Sequence, residues 1–61
     1  MIDLRRLRQE RGLTMKQLGE KANLDDSYIC LIEQNKRTPS VSAAKRIAKA
    51  LGFNWTRFFD K

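Results

Sequence analysis

Sixty-one residues allow one domain, and 13 Lys and Arg against 7 Asp and Glu leave a net charge of +6. With 41% hydrophobic and 33% charged residues, the composition is that of a folded domain rather than a disordered tail. Histidine is absent and Cys30 is the single cysteine, so the commonest general base, an internal disulfide and the usual His or Cys metal sites are excluded, and we expect no catalytic residue, metal or cofactor.

The elements follow in order. The first helix begins at Asp3, an N-cap, buries Leu4 and Leu7, and stops at Gly12. Thr14-Met15-Lys16-Gln17 is a capping box that opens a second, short helix with Leu18 and Ala22 inward and Asn23 as its left-handed end. Asp25 caps a third helix that runs to about Gln34. A basic loop, Asn35 to Pro39, leads to Ser40, which caps a fourth helix. That helix carries Val41, Ala44, Ile47, Ala48 and Leu51 on its apolar side and ends at Gly52. Asn54 caps a last turn holding Trp55, Phe58 and Phe59. No period-2 run long enough for a strand occurs, no apolar run is long enough to cross a membrane, and no secretory pattern opens the chain. These features lead us to expect an all-α protein of the cytoplasm, with its apolar stripes committed to a core rather than to a membrane.

The joint between helices two and three is only about three residues, which forces two short helices to cross steeply. On helix three, 100° steps put Ile29 and Ile32 on the core side with Tyr28 beside them. Ser27, Cys30, Leu31 and Gln34 then face outward, with Asp26 on the flank. That side is nearly uncharged in a chain that is 33% charged. Small polar and apolar groups suit a surface that enters a groove: Ser and Gln can hydrogen-bond base edges, and Leu31 can meet a thymine methyl. Two plainer readings stay open. Cys30 and Leu31 could finish a wide core stripe, and Ser27 could simply start the helix.

Charge favours the groove. From Gln34 to Lys49 there are five cations and no anion, and Lys36 and Arg37 directly follow helix three, within reach of phosphates. The free amides of Met15 and Lys16 at the start of helix two form a second phosphate site. Lys45, Arg46 and Lys49 read better as a solvated face. Arg8 and Glu33 each lie at the edge of an apolar stripe, where a half-buried charge needs a partner, so an Arg8–Glu33 ion pair is expected to orient helix one against helix three.

Taken together, Leu7-Arg8, Gly12-Leu13-Thr14, Gln17-Leu18, Ile29, Ile32-Glu33, Lys36 to Ser40 and Ile47 to Leu51 resemble the phage repressor and Cro family of helix-turn-helix domains, the XRE type, across roughly residues 2 to 59. The resemblance implies a compact four- to five-helix, lambda-repressor-like domain over 1–61, with the helix-turn-helix at about 14–34 and the third helix in the major groove. It assigns base reading to Asp26, Ser27, Tyr28 and Leu31, phosphate contact to Arg11, Met15, Gln17, Lys36 and Arg37, and the family's helix-one to helix-three salt bridge to Arg8 and Glu33. Four positions depart from the pattern. Met15 replaces a phosphate-bonding glutamine, Gly19 replaces an alanine at the helix crossing, Asn23 replaces a turn glycine, and Asp25-Asp26 puts two carboxylates at the start of the recognition helix.

The expected function is sequence-specific binding of double-stranded DNA by a homodimeric transcriptional regulator, a repressor, on a palindromic operator. Trp55 and Phe59 are the candidate dimer contact, although all the C-terminal aromatics could equally close a small core. The other class of function is a protein-interaction module on the same fold, such as an antitoxin. Control would come from concentration, from dimerisation or from a protein partner that masks the third helix.

Overall fold

The computed structural model describes residues 2–59 as four α-helices, α1 (Leu4–Glu10), α2 (Met15–Ala22), α3 (Asp26–Glu33) and α4 (Val41–Leu51), closed by a 3-10 turn, Trp55–Phe58. No strand occurs among the described residues. Every element starts on a side-chain cap. Asp3 accepts from the Arg6 amide at 3.1 Å, Asp25 from Ser27 at 3.1 Å, Ser40 from Ala43 at 3.1 Å and Asn54 from Thr56 at 3.0 Å. At α2 the box is reciprocal: Thr14 Oγ1 accepts from the Gln17 amide at 3.0 Å, and Gln17 Oε1 accepts from the Thr14 amide at 2.9 Å.

Leu18, Ile29 and Ile47 are fully enclosed at the centre of the core, surrounded by Leu4, Ala22, Ile32, Ala44, Leu51 and Phe58. Two expected core positions differ. Val41 is 50% exposed, because it sits on the first turn at the edge of the buried arc, and Ala43 is buried instead. On α1, Leu7 is only half-buried, and the position sealed along with Leu4 is Arg8.

The α2–α3 joint is set by backbone geometry. Asn23 takes the left-handed conformation (φ 56°, ψ 48°), and the Leu24 amide turns back to the Gly19 carbonyl at 2.7 Å. A Cβ on Gly19 would lie 2.6 Å from the Leu24 carbonyl oxygen. Glycine there is more than a weak point in the helix: it lets the two helices approach. The radius of gyration is 10.0 Å and the longest dimension 27 Å.

Candidate nucleic-acid interface

The outward side of α3 begins with Asp26 and Ser27, both exposed, and continues through Leu31, 36% exposed, to Gln34. Cys30 is half-buried between them and accepts a hydrogen bond from Gln34 Nε2 at 3.1 Å. Leu31 therefore does not complete the core stripe, and Cys30 does so only in part. Ser27 has its amide on the Asp25 carboxylate while its own side chain stands in solvent.

The start of α2 meets this surface. Met15, Cys30 and Gln34 line one shallow depression of about 220 Å³ together with Arg5, Arg8 and Glu33. Met15 is itself 36% exposed. The Met15 and Lys16 amides have no partner among the described residues, whereas Gln17 spends its side-chain oxygen on the cap and keeps only its amide nitrogen for a ligand. Arg5 was not singled out from the sequence. It lies three residues before Arg8 on α1, and once Arg8 is tied to α3, helical spacing brings Arg5 to the same edge.

That tie is a bidentate pair. Arg8 Nε lies 2.6 Å from Glu33 Oε2 and Nη2 lies 3.2 Å from Oε1, while Nη1 donates to the Leu13 carbonyl at 2.7 Å. Both side chains are almost sealed, with 10% and 6% exposure. The hydrogen bond that Arg8 donates to Glu33 raises the Arg8 pKa above its ordinary value, against the opposing effect of burial. No buried side-chain nitrogen or oxygen among the described residues is left without a partner.

At the other end of α3, Asn35 is left-handed (φ 60°) and returns the Lys36 amide to the Leu31 carbonyl at 3.0 Å. Lys36 and Arg37 are both exposed just past the outward flank. The Arg37 guanidinium lies over the Tyr28 ring, 5.4 Å from its centroid, and the Tyr28 hydroxyl accepts from the Ser40 amide at 3.2 Å. Arg11 stands apart: its Nε donates to the Leu51 carbonyl at 2.9 Å, at the C-terminal end of α4, which leaves only the rest of its guanidinium for another ligand.

Trp55 is half-buried, with Lys45 Nζ 5.2 Å from its centroid and Phe59 set edge-on at 6.0 Å. Phe58 is buried and Phe59 is 43% exposed. The aromatics thus divide, one inside and one out, with Trp55 between. No group of three or more His, Cys, Asp or Glu among the described residues could hold a metal ion. No helix there is long and apolar enough to cross a membrane.

The closely joined α2–α3 pair, with the second helix showing a side free of Lys and Arg to solvent and pinned from behind by α1, defines a helix-turn-helix unit. The Helix-turn-helix family model matches residues 4–58, and the chain belongs to that family, in its XRE-type branch. The HTH-type transcriptional regulator YqaF of Bacillus subtilis is 39% identical over 57 residues, covering 93% of this chain and 75% of YqaF. The immunity repressor protein of Bacillus phage phi105 is 47% identical over 49 residues, which is 80% of this chain and 34% of the repressor. A chain of the SinR protein/SinI protein complex superposes with a TM-score of 0.85 at 29% identity, covering 95% of this chain and 57% of that one. By name, the first of these is a transcriptional regulator and the second an immunity repressor. The chain spans about a third of the phage repressor and little more than half of the solved chain.

Proposed function

We propose that this chain is a transcriptional regulator that binds double-stranded DNA in a sequence-specific way, with α3 in the major groove. One observation carries the reading. Asp26, Ser27, Leu31 and Gln34 form an exposed flank with no Lys or Arg, with Arg5 beside Gln34 in one depression and the exposed Lys36 and Arg37 directly after the helix. Base edges reward such a flank, and phosphates reward such a frame. In this arrangement Ser27 and Leu31 read bases and Asp26 accepts from a cytosine amino group. Met15 and Lys16 offer backbone amides to a phosphate, and Gln17 offers its side-chain nitrogen. Lys36 and Arg37 supply charge, with Arg11 adding what its bond to Leu51 leaves free.

A monomer of 27 Å reads only a few base pairs. Two copies joined through Trp55 and Phe59, with Val41 one turn before Lys45 on the same side of α4, would place two recognition helices about 34 Å apart on a palindrome. Repression is the proposed outcome, in line with the phage relative, and a bacterial cytoplasm is the proposed setting. The SinR chain was solved with a protein partner, which favours a masking protein as a second means of control.

Selection of bound duplexes from a random pool tests the proposal. Enriched sequences should share an inverted repeat, and affinity should fall steeply as salt rises. If no inverted repeat emerges at any salt, the fold serves as a protein-interaction module instead.

A further inference from the structure

We propose that Tyr28 is a positioning residue: it holds the 35–40 loop and aims Arg37 at a backbone phosphate, and it does not read a base. The inference rests on the DNA-binding reading above and changes the part Tyr28 plays in it. Its ring face is covered by the Arg37 guanidinium at 5.4 Å, and its hydroxyl oxygen is engaged by the Ser40 amide at 3.2 Å. Neither end of the side chain is left to probe a groove, and the residue is half-buried at the border between the inner and outer sides of α3.

The loop needs such a tie. After the Lys36 amide returns to Leu31, the amides of Arg37 and Thr38 have no partner among the described residues, and Pro39 has no amide to give. Pro39 is buried, and the next hydrogen bond is that of Ser40 to Tyr28, twelve residues back in sequence. An unanchored arginine loses much rotamer freedom when it grips a phosphate. Stacking on an aromatic face removes part of that loss beforehand and leaves the guanidinium edge open for bidentate contact. Tyr28 therefore acts on DNA through Arg37, and it also ties the N-cap of α4 to the recognition helix.

Three variants test this: Tyr28→Phe, Tyr28→Leu and Arg37→Gln. In the free protein, ring currents should shift the Arg37 δ-protons upfield. Y28F should keep that shift and Y28L should lose it. Y28F, which preserves the ring packing, should also speed hydrogen exchange at the Ser40 amide several-fold. On a duplex taken from the pool selection, Y28L and R37Q should each weaken binding by about tenfold and make the log–log salt slope shallower by about 0.9, the value of one phosphate. The double variant should be within about twofold of either single one, because both remove the same contact. Repeating the selection with Y28L should return the same half-site. Additive losses, a relaxed preference at one base pair with an unchanged slope, or Arg37 signals and Ser40 exchange indifferent to Tyr28 would each overturn the proposal. Should the wild-type chain bind no duplex, the groove reading falls, and the Arg37 shifts and Ser40 exchange still decide whether Tyr28 holds the loop.

Discussion

Along α3, Ile29 and Ile32 are sealed in the core and Glu33 is locked to Arg8, while Ser27, Leu31 and the C-cap Gln34 on the other side are exposed. The inner side is dictated by folding: change it and the chain loses burial or strands a charge. The outer side carries almost no folding constraint, so stability alone does not explain its low charge in a chain with 33% charged residues. The contrast separates residues that hold the helix in place from residues that the placement serves.

The largest break in this contrast comes from removing Arg8. Arg8→Ala leaves the Glu33 carboxylate, whose side chain is 6% exposed, without its bidentate partner. Unfolding in urea should show a loss of about 3–5 kcal/mol. Replacing both partners with apolar side chains, Arg8→Met with Glu33→Leu, should recover most of that loss, since burying a charge pair is itself costly. Duplex affinity should stay reduced even so, because the pair's role is to orient α3. A double variant with full affinity would show that packing alone sets the angle.

A matched pair of truncations sharpens the two sides directly. Ile29→Ala, in the core, should cost about 2–5 kcal/mol of stability. Leu31→Ala, two residues on, should leave stability within about 0.5 kcal/mol and yet weaken binding to the selected duplex by about 1–3 kcal/mol. Equal thermal melts with equal affinities for L31A and wild type would remove Leu31 from the interface.

How much of this was legible beforehand depends on range. The caps at Asp3, Thr14, Asp25, Ser40 and Asn54 are satisfied by amides two or three residues away, so local chemistry announces them. The edge positions of Arg8 and Glu33 follow from helical period. Beyond that one pair, which the structure forms, the chain does not announce contacts between segments. Examples are Arg11 on the Leu51 carbonyl, Arg37 stacked on Tyr28, Arg5 beside Met15, and the Arg8 bond to Leu13 across the end of α1. The exposure of Val41 is of the same kind, since it depends on where α4 leaves its neighbours. In the candidate site, then, the outward flank of α3 and the Arg8–Glu33 brace were readable from period, and the contacts of Arg5, Arg11 and Arg37 were not.

Gly19→Ala probes the joint without altering either side of α3. Alanine favours a helix by about 1 kcal/mol over glycine, but here its methyl carbon would meet the Leu24 carbonyl oxygen at 2.6 Å, and that oxygen belongs to the turn backbone. Moving the turn costs more than the propensity returns, and we expect a net loss of about 1 kcal/mol in urea unfolding. Because the turn carries α3, affinity for the selected duplex should fall as well. A stabilised G19A with intact binding would mean that the joint widens freely.

The smallest expected effect lies at the start of α3. The Asp25 carboxyl is held below its ordinary value of 3.8, chiefly by the hydrogen bond it accepts from the Ser27 amide. A carboxyl with a lowered folded-state pKa adds stability that is complete above the unfolded value and is lost as pH falls through the folded one. The Asp25 cap should therefore hold at neutral pH and weaken only below 3.8. Asp25→Asn keeps a capping oxygen that does not titrate there. Comparing urea midpoints of wild type and D25N from about pH 6 down to about pH 3, the difference should stay flat at first and then shift against the wild type. A flat difference throughout would mean that the ionised carboxylate is not what caps α3. At neutral pH the same variant removes a negative charge from the end of the recognition helix, so duplex affinity should rise slightly while both sides of α3 keep their composition.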